Sequence, residues 1–188
     1  MKTLLICMLV FLFAGLAGCN TPSGGVIVII EDSGHISDSL AGTWQSDKYG
    51  WEFVFEPDGT ISSAVVPLGN VRVEPGKITK VPMKLDGEGT YKPGEWVVVY
   101  SPPQRMLTVT ITLDRIHLEL GKGLLKGSSR DVFTGQLSED GETWFAEWTS
   151  FTNYTAHTAE FQDFDLSSDP IYGNYASLVF TKQQRQQN

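Results

Sequence analysis

The chain has 188 residues and a formal charge of −8 at pH 7, with 14 Lys and Arg against 22 Asp and Glu. Its basic residues are scattered and form no run, which argues against nucleic acid and against electrostatic docking on anionic lipid. Only two cysteines occur, Cys7 and Cys19, so the chain beyond residue 19 has no disulfide, no cysteine nucleophile and no thiolate metal site.

Lys2 precedes an unbroken apolar stretch from Leu4 to Leu16. As a helix that stretch spans only about 20 Å, short of the ~30 Å hydrocarbon core of a bilayer. Ala17 and Gly18 have the small side chains that a signal-peptidase site requires. The run Leu16-Ala17-Gly18-Cys19 resembles the lipobox of bacterial lipoproteins. The resemblance implies that residues 1–18 are a signal peptide and that Cys19 becomes the acylated N-terminus, with the lipid bilayer as its partner. Several alkyl tails, each buried CH₂ contributing about 0.8 kcal/mol, make such an anchor stable. The alternative is an ordinary secretory signal cut elsewhere, with Cys19 incidental. In Gram-negative lipoproteins an aspartate after the cysteine usually signals inner-membrane retention; Asn20 stands there, which favours the outer membrane. The 170 residues after cleavage suit one domain with a true core, at a charge near −9.

Residues 19–39 read as a tether, opening with the small, turn-forming Asn20 to Gly25. Within it Val26 to Ile30 is a β-branched run, too short for a helix, apolar on both faces and expected to pair with the domain's sheet. A partner-binding strand is the other use of such a run. The domain proper is expected over 40–182, with 183–188 as a disordered tail. Trp51, Phe53 and Phe55 alternate with Glu52, Val54 and Glu56, then meet the turn signal Pro57-Asp58-Gly59. Trp96 to Tyr100 reads as a strand ended by Pro102-Pro103. Leu107, Val109, Ile111 and Leu113 alternate with threonines, while Ile116, Leu118 and Leu120 follow on the opposite parity. A two-residue hairpin at Asp114-Arg115 produces that change; a β-bulge also does. Val132 to Leu137 turns through Ser138 to Gly141 into Thr143 to Phe151, placing Trp144, Ala146 and Trp148 on one face. Ser177 to Thr181 is a last strand. No window of eleven or more residues has helical spacing, so the chain reads as all-β, a barrel or a sandwich of the jelly-roll kind.

Leu40-Ala41-Gly42-Thr43-Trp44 resembles the Gly-x-Trp opening of lipocalins, and Phe55 to Thr60 resembles the aromatic-x-x-Asp-Gly-Thr hairpin of lipocalin-like domains. Thr152-Asn153-Tyr154 is similar to their second motif, and Lys182 or Arg185 to the basic residue lying over the Trp. The resemblance implies a single antiparallel β-barrel, with Trp44 plugging one end and a small apolar ligand or lipid held inside.

Candidates for chemistry are few. His157 is followed by Glu160, Asp163 and Asp165, a grouping that suits a divalent metal or a hydrolase's acid–base pair, but its spacing matches no zinc or calcium motif. A solvated acidic loop is the preferred reading. There is no Gly-x-Ser-x-Gly and no phosphate-binding loop. Five Trp, six Tyr and ten Phe are the remaining lead: mostly core, with some forming a pocket wall or a platform for sugar rings. Trp144 and Trp148 on one strand face, with Tyr154 and Phe161 near a rim, are the candidate ligand-binding residues. The expectation is therefore a monomeric, membrane-anchored, non-enzymatic lipoprotein without cofactor, whose barrel binds a small apolar ligand. Its alternative is an envelope interaction protein that binds a protein or glycan on its outer surface.

Overall fold

The alternating segments all form strands in the computed structural model, which describes residues 24–31, 38–157 and 175–183. In chain order they are β1 (Val26–Ile30), β2 (Gly42–Ser46), β3 (Glu52–Phe55), β4 (Ile61–Val66), β5 (Val71–Val73) and β6 (Thr79–Pro82). Then come β7 (Glu88–Pro93), β8 (Trp96–Ser101), β9 (Met106–Leu120), β10 (Gly123–Leu137), β11 (Thr143–His157) and β12 (Tyr175–Lys182). A single 3-10 turn at Asp38–Leu40 precedes β2. The hydrogen-bonded order is β1-β8-β9-β10-β11-β12-β2-β3-β4-β5, with β7 also on β9 and β6 on β7.

The sheet curls strongly. Four ladder steps separate β10 from β3, about 19 Å if flat. Yet the rings of Phe133 on β10 and Phe53 on β3 lie 5.1 Å apart, edge to face. Only a sheet wrapped round on itself brings them together. Inside, Trp44, Phe53, Phe133, Trp144 and Phe180 are all fully buried, and Trp144 stacks on Phe180 at 4.9 Å. Rings of this size, contributed by five strands, fill the wrapped interior.

The wrap does not close, which corrects the expectation of a single antiparallel barrel. At the far ends of the order, the Tyr91 hydroxyl on β7 donates to the Leu68 carbonyl after β4 (2.9 Å). But β5 is only three residues long, the chain turns back at the Glu74–Lys77 bridge, and β6 pairs with β7 alone. No ladder joins β5 to β6, so their edges stay unzipped. The sheet is also mixed, because β1 runs parallel to β8, Val26 opposite Trp96 through Ile30 opposite Tyr100.

The parity change at Asp114-Arg115 is a bulge inside one fifteen-residue strand, which corrects the hairpin reading. Leu113 pairs with Ser129 and Ile116 with Gly127, so two residues of β9 oppose Ser128 alone. Both apolar neighbours thereby stay inside while Asp114 and Arg115 point out. At the other end, the Trp44 indole N–H donates to the Leu40 carbonyl (2.8 Å). Gly42, at φ 133°, leaves room for the Lys182 side chain, whose Cε lies 3.0 Å from where a Cβ would stand.

Candidate functional site

The β-bulge opens the wrapped sheet on both faces. On the inner face, Ser129 and Asp131 of β10 share the inward parity of Phe133. Asp131 is 4% exposed. Its Oδ1 accepts from the Trp148 indole N–H (3.1 Å) and from the Ser150 hydroxyl (2.6 Å), both on β11. Burial pushes its carboxyl up to about 6, against these two bonds and a third from the Ser129 hydroxyl. No Lys, Arg or His side chain among the described residues pairs with it. Beside it is a cavity of about 30 Å³, lined also by Trp51, Trp148, Leu68 and Tyr154. That is room for a water or two; small-molecule pockets are roughly ten times larger or more.

On the outer face the same bulge forms a groove of about 340 Å³, lined by Thr112, Asp114, Ser128, Arg130, Phe151 and Asn153. Arg130 lies directly across from Phe151, and Ser128 from Asn153. Phe151 is 56% exposed. Arg130 is exposed too and makes no ion pair among the described residues. Two more exposed aromatics stand on this face: Phe145, six residues back along β11, and Tyr175, opposite Thr149 on β12. Of the four aromatic residues exposed among the described ones, only Tyr49 lies elsewhere. Polar groups fill the gaps between the three rings, and Ser177 donates to Glu147 at 2.8 Å.

Trp144 and Trp148, taken from sequence as ligand-binding candidates, are placed inside. Trp144 packs against Phe53, Phe133 and Phe180. Trp148 lies flat against Phe133 at 6.0 Å and borders the small cavity, as does the half-buried Tyr154. His157 ends β11 opposite Leu124. Glu160, Phe161, Asp163 and Asp165 lie outside the described residues, as do the signal segment, Cys19 and Arg185. Among the described residues no three His, Cys, Asp or Glu side chains gather as metal ligands would.

Sequence reading missed Asp131, and with it the outer aromatics. The signal for both was parity. Asp131 shares the parity of Ser129 and Phe133, and Phe145 alternates against Trp144 and Ala146. The chain matches no protein-family model, and comparison with curated proteins and with solved structures finds no similar chain.

Proposed function

We propose that this is a lipid-anchored protein of the bacterial cell envelope whose β module recognises a partner on its outer surface. What carries the reading is the contrast between the two faces. The interior is filled by packed aromatics, with about 30 Å³ left beside Asp131, whereas three aromatics stand exposed outside. Carriage of a small apolar ligand needs a deep apolar cavity, and the described interior is packed where that cavity would lie. Support for the anchor comes from the lipobox-like Leu16 to Cys19. The six residues 20–25 between Cys19 and β1 reach at most about 21 Å, so an acylated cysteine holds the module close to the bilayer. β1 is the terminal strand of the sheet, with Ile27 and Ile29 44% and 47% exposed. It has no lysine or proline to blunt it and is a second surface open to pairing.

The test has two arms. Mass spectrometry of the mature N-terminus is expected to find acyl chains on Cys19, and Cys19→Ala to release the protein from membranes. Organic extraction of the purified protein is expected to yield no bound lipid at one equivalent. An unmodified N-terminus removes the anchor, and a stoichiometric apolar molecule removes the surface reading.

A further inference from the structure

We infer that the outer face of β11 and its neighbours binds a linear, uncharged polysaccharide, whose pyranose rings stack on Phe145, Tyr175 and Phe151. This names the partner of the surface reading above and rests on it. The argument starts from geometry. Phe145 and Phe151 share one face of one strand and are six residues apart, which puts them about 20 Å from each other. Tyr175 enters between them from β12, opposite Thr149. The three rings therefore mark a line, long enough for several sugar rings in succession, and Phe151 ends it in the groove of about 340 Å³ at the bulge.

The chemistry of the line is that of a sugar. A pyranose offers C–H bonds on its faces, which pack on the electron-rich face of an aromatic ring, and hydroxyls at its rim. Those hydroxyls both donate and accept, so a suitable site interleaves rings with groups of both kinds. Here Arg130 and Asn153 offer donors beside Phe151, Asp114 and Glu147 offer carboxylates, and Thr112, Ser128 and Ser177 offer hydroxyls. A protein-docking core requires something different: a continuous apolar patch depleted of charge. The cations here, Arg130 and the Lys92 paired with Asp114 at 3.8 Å, are matched by the carboxylates of Asp114 and Glu147. On a chain of net charge −8 this balance also disfavours a polyanionic glycan.

The experiment is affinity electrophoresis of the full chain in detergent, through gels containing hydroxyethyl cellulose, glycol chitin, dextran or heparin. At least one neutral polymer is expected to retard the wild type, and heparin is not. Phe151→Ala and Tyr175→Ala are each expected to weaken retention roughly two- to twelvefold, the range for one aromatic contact. Phe151→Tyr should restore it and Phe151→Leu should not, because a ring face rather than apolar bulk is required. Near-UV circular dichroism checks that these exposed positions leave the fold intact. Retention by no neutral polymer, retention by heparin alone, or equal retention of the triple alanine variant at 145, 151 and 175 overturns the assignment. A polypeptide partner lost on substituting Ile27 and Ile29, with no polymer response, overturns the glycan but spares recognition by the outer surface. A lipid extracted at one equivalent defeats that underlying reading instead.

Discussion

The indole N–H of Trp148 donates to the Asp131 carboxylate across 3.1 Å, tying β11 to β10 two residues away from their direct pairing. Asp131 sits opposite Ser150 and Trp148 opposite Phe133, so the bond runs diagonally over the inner face. It fixes the Trp148 ring against Phe133 and closes the core beneath the bulge. One buried carboxyl thus marks the boundary between the packed interior and the opened end of the sheet.

That carboxyl has a pH signature. Its group titrates near 3.8 when unperturbed and about 6 in the folded protein, so the native state holds the proton more tightly. Its contribution is therefore fully present below about pH 4 and is lost as pH rises through about 6, by at most roughly 3 kcal/mol. Asp131→Asn keeps an acceptor for Trp148 and Ser150 and carries no charge. Urea unfolding across pH 4–8 should show the variant gaining on the wild type as pH rises, then running parallel above about 7. Identical slopes for both would mean the carboxyl is neither buried nor perturbed.

Phe53 meets Phe133, Phe180 and Trp144 at the centre of the wrap. Phe53→Ala leaves a cavity that strands on opposite sides cannot collapse to fill, and should cost about 3–5 kcal/mol. Trp144→Ala should cost as much. Phe145→Ala, on the adjacent outward position, should stay within about 0.5 kcal/mol. A comparison of midpoints for the three variants separates the faces; equal losses would show that Phe145 is covered.

Gly42 has a φ of 133°, where an L side chain is strained, and the Lys182 chain fills the space of its absent Cβ. Gly42→Ala should destabilise by more than about 1 kcal/mol. It should also loosen the contact of Lys182 with the Ser39 carbonyl. Adding Lys182→Ala removes the crowding but not the backbone strain. The double variant should therefore recover only part of the loss, and full recovery would locate the whole effect in Lys182.

The strand β1 should protect poorly at its free edge. Among the described strands it pairs with β8 alone, whereas β9 and β10 are flanked on both sides. In hydrogen exchange, amides of Val26 to Ile30 should exchange well before those of Val109 or Phe133. Ile29→Pro should leave the rest of the sheet folded. Cooperative loss of the whole spectrum would make β1 part of the core.

Much of this was written locally. The threonine alternation before Leu113, the aromatic alternation at Trp51 to Phe55 and the hairpin joining β10 to β11 each follow from the two-residue period of a strand. The same period separated Trp144, Ala146 and Trp148 from Phe145. It could not say which face would be enclosed; the wrap encloses the one that carries Trp144 and Trp148, and both pack against Phe133. Nor could it separate a hairpin from a bulge at Asp114. That choice depends on Ser128 lying opposite, a fact held in another strand.

The amino-acid sequence by itself determined the lipobox-like start, the all-β character and the alternation of faces along the longer runs, because all three are properties of neighbours along the chain. Tertiary structure alone decided that the sheet wraps without closing, that Asp131 is buried under Trp148, and that Tyr175 falls in line with Phe145 and Phe151. Those outcomes are set by twist and register accumulated over many strands. No residue carries them singly.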